Sequence, residues 1–154
     1  MMTILLTFLI GLFAGLRSLT APAVTAWAAR LGWLKLQGSL ALIGSIPSVA
    51  IFTLLAVLEL VADKLPKTPS RTSPPGLIAR LVMGGLAGAC VAAAGKEEAL
   101  LGAVVGAVGG IVGCFGGYEA RTRLVRALGT QDIYVATIED LVAIAGSLWV
   151  VSRF

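Results

Sequence analysis

Two residue types are missing from the 154-residue chain, histidine and asparagine. Without imidazole, the chain lacks the commonest general base at neutral pH and the usual ligand of haem and zinc. Without asparagine, it has no N-glycosylation site. Its two cysteines, Cys90 and Cys114, lie in separate apolar segments without the spacing of a metal or redox motif, so we expect both to be small core residues. These absences argue against an enzyme and against a resident cofactor.

Charge is scarce as well. Only 13% of the residues are charged, 58% are hydrophobic, and the mean hydropathy is +0.96. Soluble domains typically have about 25% charged and roughly 45–50% apolar residues, and a chain of this size cannot hide so much apolar surface in one water-exposed globule. The composition therefore predicts an integral membrane protein. The formal net charge of +4 then reports on membrane topology rather than on nucleic-acid binding.

Apolar segments long enough to cross a hydrocarbon core of ~30 Å recur along the chain. The sequence predicts an all-α, polytopic transmembrane helical bundle in one domain, residues 1–154, with five spans, or four if the last segment lies on the membrane surface. The predicted spans are 3–29, 40–62, 76–95, 99–117 and 133–151, and a polar, proline-rich loop covers 63–75. The N-terminal segment lacks the basic region and cleavage site of a signal peptide, so we interpret it as a span.

Basic residues are distributed unevenly between the two sides of these spans. If the N-terminus is inside, the inner side holds Lys64, Lys67, Arg71, Arg80, Arg121, Arg123 and Arg126, and the outer side holds Arg30, Lys35, Lys96 and Arg153. Because cytoplasmic loops carry an excess of Lys and Arg, this distribution predicts a cytoplasmic N-terminus and an external C-terminus.

Arg17 stands near the middle of the first predicted span. A guanidinium at that depth costs between about 2.5 and more than 10 kcal/mol unless it faces a partner or water. The following Ser18, Thr20 and Pro22 predict a kinked or locally unwound helix, because Pro22 has no N–H for the carbonyl of Ser18 and hydroxyls can bond the freed backbone groups. Broken helices at mid-depth form substrate sites in many transporters. An ion pair that only stabilises the bundle explains Arg17 equally well.

The carboxylates are predicted to gather in the inner third of the bundle, whereas Arg17 lies at mid-depth, apart from them. Glu59 and Asp63 share one helix face because they are four residues apart. The candidates for ion binding or transport are Arg17, Glu59, Asp63, Glu119, Glu139 and Asp140. Oxygen ligands suit a hard cation such as Mg, Ca or Mn, and buried carboxylates also relay protons. Salt bridges to the nearby arginines are the structural alternative.

Four prolines in the polar segment 63–75 favour an extended loop over a helix. The candidates for binding a phosphate or a lipid headgroup are Lys64, Lys67, Arg71 and Arg80. A loop that simply follows the positive-inside rule beside anionic lipids is the plainer interpretation.

Glycines in the segment 99–117 form two series with GxxxG spacing. Gly102, Gly106 and Gly110 lie on one ridge of the predicted helix, and Gly109, Gly113 and Gly117 lie on another. Small residues let helices approach closely in a membrane. We therefore expect this helix to be central, in a compact bundle or at the seam of a homodimer.

Several long stretches resemble a known family. GLRSLTAPA at 15–23, ELVADKLPKTPSRTSP at 59–74, ARLVMGGLAGA at 79–89 and IED at 138–140 are similar to the domain of unknown function 4126 family. The resemblance covers nearly the whole chain. It implies a small, single-domain helical protein of the bacterial inner membrane, and it brings no known substrate or reaction.

Together these observations predict a small membrane transport protein. It would move a cation or a proton-coupled small solute through an inner vestibule lined by carboxylates. No cofactor is expected, although the acids leave room for a bound hard cation. The expected partners are the bilayer, anionic lipids and a second copy of the chain. The alternative is a non-transporting lipid-binding or assembly protein whose basic loop binds anionic headgroups.

Overall fold

Every regular secondary-structure element in the residues that the structure describes is a helix. A computed structural model describes residues 1–64, 72–129 and 131–154. Within these ranges there are six α-helices and one 3-10 helix: α1 Met2–Leu16, α2 Thr20–Arg30, the 3-10 helix Gly38–Gly44, α3 Ile46–Ala62, α4 Pro74–Ala94, α5 Ala99–Leu128 and α6 Asp132–Val151. The prediction of an all-α bundle is confirmed.

Local sequence signals explain several helix boundaries. The side chain of Ser45 accepts a hydrogen bond from a backbone N–H in the first turn of α3, and Pro47 lies in that turn, where an N–H is not required. Pro74 and Pro75 begin α4 in the same way. At its other end α5 stops at Gly129, whose φ of 58° is a left-handed conformation that glycine adopts at little cost.

Three of the described helices are long and apolar enough to cross a bilayer: α4, α5 and α6. The 3-10 helix and α3 make a fourth span if they are taken together, with a bend of 59° between them. These four lie over the predicted segments 40–62, 76–95, 99–117 and 133–151. Helix α5 continues beyond the predicted end to Leu128, because residues 118–128 are rich in Ala, Arg and Leu, which favour a helix.

The predicted first span, 3–29, is not one continuous helix. It is divided at Arg17, whose backbone is extended with φ −137° and ψ 111°. Pro22 lies in the first turn of α2, where its missing N–H is tolerated, so the break precedes the proline. The two resulting helices, α1 with 15 residues and α2 with 11, are both shorter than the ~20 residues that a span requires.

The break at Arg17 turns the chain back on itself. Arg17 contacts Asp140, and Phe13 packs on Gly146, so α1 runs antiparallel to α6. On the other side of the break, Trp33 lies beside the last residues of α6. Moving away from Arg17 in either direction along the chain therefore leads toward the C-terminus of α6. Helices α1 and α2 form a helical hairpin, and we call residues 17–19 the hairpin tip.

The two ends of the bundle differ in residue type. The end where the hairpin opens carries the exposed Trp27, Trp33 and Trp149, the three tryptophans of the chain, and we call it the tryptophan end. The opposite end, the basic end, carries Lys64, Arg121, Arg123 and Arg126. Because tryptophan is enriched where membrane meets water, the tryptophan end marks one face of the membrane.

Both chain termini lie at the tryptophan end. The expectation that the first apolar segment carries the chain to the opposite side of the bundle is therefore wrong, because the hairpin returns to the side from which it started. With this correction, the prediction of an internal N-terminus loses its basis.

Helix α5 is central, with close neighbours on two sides. Gly102, Gly106 and Gly110 face α4, where a Cβ would meet backbone or side-chain atoms of that helix. Gly109 and Gly113 face α1, and a Cβ on either would meet its carbonyl oxygens. Gly117 is half-buried farther along the second ridge. Both glycine ridges thus serve packing within one chain, which removes them as the basis for a dimer seam.

Candidate functional site at the hairpin tip

Arg17 is the largest side chain that is fully buried, with 0% of its surface exposed. Its Nη1 lies 2.5 Å from Oδ2 of Asp63, and its Nε lies 2.6 Å from Oδ1 of Asp140. A planar guanidinium can hold two carboxylates at once in a defined geometry, which an ammonium group cannot do. Arg17 therefore joins the end of α3 and the middle of α6 to the hairpin tip.

Each of these two carboxylates also contacts a second base. Oδ2 of Asp140 lies 2.9 Å from Nζ of Lys64, and Oδ2 of Asp63 lies 3.1 Å from Nη1 of Arg121. For Asp63, which follows the last residue of α3, burial raises the pKa of the carboxyl. The charges and hydrogen bonds of Arg17 and Arg121 outweigh that effect and hold this pKa below its usual range. Acids and bases thus alternate through a continuous network.

Arg121 extends the network toward the start of α6. Its Nε and Nη2 donate to the two oxygens of Asp132, at 2.8 and 2.5 Å. Its Nη1 donates to Oε2 of Glu139 at 3.4 Å, in addition to the contact with Asp63. The bidentate pair between Arg121 and Asp132 has the strongest geometry for arginine and a carboxylate. Arg121 therefore links α5 to both α3 and α6 at the basic end.

The remaining acid of α3, Glu59, binds backbone rather than a base. Its Oε1 accepts hydrogen bonds from the N–H of Ser18 at 2.9 Å and from the hydroxyl of Ser18 at 2.5 Å. Its Oε2 accepts from the N–H of Leu19 at 2.9 Å. A carboxylate at the start of a helix interacts favourably with the positive end of the helix dipole. Glu59 therefore caps α2 from a neighbouring helix.

The end of α1 is bound by a base in a complementary way. Nε of Arg80 donates to the carbonyl oxygen of Gly15 at 3.0 Å, and its Nη1 donates to the carbonyl of Gly76 at 2.9 Å. A cation at the C-terminal end of a helix satisfies the last carbonyls and the negative end of the dipole. Both helix ends at the hairpin tip are thus bound by charged side chains of other helices.

A cavity of about 350 Å³ opens beside this network at the basic end. It is lined by Asp63, Lys64, Arg121, Gln131, Asp132, Ile133 and Ala136. Asp63 is thus in contact with Arg17 on one side and with the cavity on the other. The network is therefore accessible from the basic end, through Asp63 and Asp132 among its carboxylates.

The comparisons with known proteins identify the chain at the level of its family. The family model described as a domain of unknown function 4126 matches residues 4–152. The chain belongs to this family. The sequence-based resemblance is therefore confirmed. No curated protein and no solved structure matches the chain, and since the family description gives no activity, the function of this member has to be argued from its own residues.

The depth of the network in this family member follows from helix α6. Asp140 lies six residues after the exposed Tyr134 and nine before the exposed Trp149, which is ~9 Å and ~14 Å along the helix. Tyrosine and tryptophan concentrate at the two membrane interfaces. Asp140 thus lies between the two positions typical of the membrane interfaces, nearer the basic end. Arg17 was expected at mid-depth apart from the acids, and the reversal of the chain instead brings it to their depth.

Most of the predicted site residues meet at the hairpin tip, with one exception. Arg17, Glu59, Asp63, Lys64, Arg80, Glu139 and Asp140 all belong to the network or bind the tip. Glu119 does not: it is 56% exposed and pairs with Arg123 on the same helix. It was expected in the vestibule because it lies at the inner end of its predicted span, but its side chain lies on the exposed surface of α5. Lys67 and Arg71 lie outside the described residues.

Three contributors were not proposed as site residues: Arg121, Asp132 and the backbone N–H groups of residues 18 and 19. Arg121 was expected only as a salt-bridge partner of the acids, and Asp132 lies one residue before the predicted start of the last span. Among the described residues, no three carboxylate or thiol side chains converge as the ligands of a metal ion would. The contacts that these side chains make are ion pairs and hydrogen bonds.

Proposed function

We propose that this protein is a small membrane transport protein in which the Arg17–Asp63–Asp140 network couples proton binding to the movement of a small solute. The observation that carries the proposal is a fully buried arginine between two carboxylates, next to a cavity that reaches one of them. Ionisable residues within a membrane usually mark ion paths or proton relays. A proton suits this site better than a metal ion, because Arg17, Lys64 and Arg121 already neutralise the acids.

Stability alone gives a poor reason for such a network. The desolvation of buried ions cancels much of their attraction, and replacing a buried ion pair by apolar side chains is often neutral or stabilising. The same bundle could join its helices with glycine and alanine contacts, as α4 and α5 do. The presence of Arg17, Asp63 and Asp140 in the bundle is better explained if their charges change during the working cycle.

Helix α3 is the element best suited to move. Only Val49 and Ala56 of its residues are buried, and its contacts are mainly with α2 and the 3-10 helix. Polar contacts attach it: Glu59 to the hairpin tip, Asp63 to Arg17, and a hydrogen bond from Trp27 to α3. Protonation of either carboxylate would weaken this attachment. The 59° bend before α3 supplies a pivot, since a few residues between elements can absorb such a rotation.

Orientation and partners belong to the same proposal. Because basic residues mark cytoplasmic segments, the basic end faces the cytoplasm of a bacterial inner membrane, and both termini face the other side. The exposed apolar side of α3 is the surface where a second copy would bind without blocking the cavity. Anionic lipids would contact the exposed Arg123 and Arg126 at the basic end.

The experiment is proton flux in proteoliposomes that enclose a pH-sensitive dye. A pH gradient is imposed with a mixture of small cytosolic solutes outside. We expect the wild-type protein to dissipate the gradient faster than protein-free liposomes, and Asp140→Asn to abolish the difference. Glu119→Gln removes an acid of the same protein outside the network and should retain the flux. Equal rates for wild-type protein and empty liposomes, with the protein folded and inserted, would favour the lipid-binding alternative.

A further inference from the structure

The start of α2 holds the Glu59 carboxylate in the way that helix starts hold oxyanions. Three donors converge on it: the N–H groups of Ser18 and Leu19, each at 2.9 Å, and the hydroxyl of Ser18 at 2.5 Å. They divide between its two oxygens. Backbone N–H groups and the helix dipole make such a position a ready anion site. Here the anion is a side chain that comes from a different helix.

The residues on either side of Ser18 and Leu19 each carry a buried donor without a hydrogen-bond acceptor in the described part of the chain. Among the residues that the structure describes, nothing accepts a hydrogen bond from Nη2 of Arg17 or Oγ1 of Thr20, and these two residues are 0% and 4% exposed. They flank Ser18 and Leu19 in the sequence. A buried donor without an acceptor carries a desolvation cost that a bound acceptor would remove. The hairpin tip therefore offers more donors than the Glu59 carboxylate uses.

Basic side chains lie near the C-terminal end of α2. A cavity of about 450 Å³ at the tryptophan end is lined by Arg30 and Lys35 together with uncharged residues. No acid is among the residues that line it. A positive concave surface raises the local concentration of anions. Helix α2 therefore extends from a basic cavity at its C-terminal end to the anion-type site at its start.

We propose that the start of α2 is the binding site for a small oxyanion, a carboxylate in the first place, and that Glu59 occupies this site as an internal substitute. The inference rests on the proposed transport function, because it names the class of the solute. Withdrawal of α3 would remove Glu59 and present the Ser18 and Leu19 N–H groups to the solute. An anion with two oxygens on one atom places a separate acceptor opposite each backbone N–H, whereas a halide offers a single centre to both.

Formate is the probe, because it carries the same carboxylate as Glu59 and nothing larger. Glu59→Ala empties the site, and the purified variant is unfolded by heat in an uncharged detergent. We expect formate to raise its Tm along a saturable curve, while chloride at equal ionic strength and neutral formamide have no comparable effect. The matched control is Glu119→Ala, which removes an exposed glutamate of α5, and its Tm should be indifferent to formate.

Glu59→Gln is the second variant if Glu59→Ala does not fold. It keeps the size of the side chain and one acceptor but removes the charge, so formate should compete for the site and raise its Tm as well. Equal effects of formate and chloride, or a formate effect of the same size in Glu119→Ala, would overturn the proposal. So would stabilisation of the Glu59 variants by added phosphatidylglycerol but not by formate, since the site would then take a lipid headgroup.

A transport measurement separates the two levels of the argument. Wild-type proteoliposomes should take up labelled formate together with protons. If formate stabilises the Glu59 variants but wild-type protein moves neither protons nor formate, the site stands and the transport function fails. If protons move with other solutes and formate neither binds nor enters, the transport function stands and the oxyanion site fails.

Discussion

Replacing Arg17 with methionine is the most direct test of how the hairpin tip is held. Methionine fills a comparable space without charge, so Asp63 and Asp140 lose the cation that lies 2.5 and 2.6 Å from them. Breaking a buried ion pair by removing one partner costs about 3–5 kcal/mol. Lys64 and Arg121 still contact the two acids, so we expect a loss near the lower end of that range. The measurement is the free energy of unfolding, from denaturation by SDS in mixed micelles followed by circular dichroism.

Two further variants make the Arg17 experiment decisive. Arg123→Met removes an arginine that is 76% exposed and pairs with Glu119 four residues away, so it should cost no more than about 0.5 kcal/mol. Arg17→Met combined with Asp140→Asn removes one of the uncompensated acids and should be more stable than the sum of the two single losses allows. Equal losses for Arg17→Met and Arg123→Met, or strict additivity in the double variant, would refute the reasoning.

Two other predictions concern helix packing and pH. Gly113→Ala should lower the free energy of unfolding by roughly 1–3 kcal/mol, because its Cβ would meet the carbonyl of Leu12. Gly116→Ala, whose Cβ meets open space, should instead leave the free energy of unfolding unchanged or raise it by up to about 1 kcal/mol through helix propensity. Equal losses for the two variants in thermal unfolding would contradict this packing. Because the pKa of Asp63 is lowered in the folded state, its stabilising effect is present above the unfolded value of about 3.9 and is lost as pH falls through the folded value. In the free energy of unfolding measured against pH, Asp63→Asn should therefore show a smaller loss at acid pH than the wild-type protein. An unchanged pH dependence would assign that loss to other groups.

Much of the fold follows from local properties of the chain. The length of the apolar segments is enough to predict α4, α5 and α6 as spans, since a helix that crosses the bilayer must be apolar over the thickness of the hydrocarbon core. The helix break after Arg17 is also a local effect, because Pro22 disfavours a continuous helix there. The glycine ridges of α5 lie at helix contacts because only small residues allow that approach.

The direction of the chain after Arg17 could not be predicted in the same way. A proline-associated break is compatible with a kinked span and with a reversal, and local sequence favours neither. The reversal depends on contacts far apart in the sequence: Glu59 bonded to Ser18 and Leu19, and Asp140 bonded to Arg17. Glu119 is a second example. The sequence correctly places it toward the basic end of α5, but which face of the helix is buried depends on how the bundle packs.

The amino-acid sequence by itself determined that the protein is a helical membrane protein of a known family, that its charges are few, and that those few belong near one another. These properties follow from the cost of placing polar groups in hydrocarbon, a cost that acts on each segment separately. Only the tertiary structure decided which acid meets which base, that Arg17 lies at the tip of a hairpin, and that Glu59 binds the start of α2. Those outcomes depend on distances between helices, which no single segment contains.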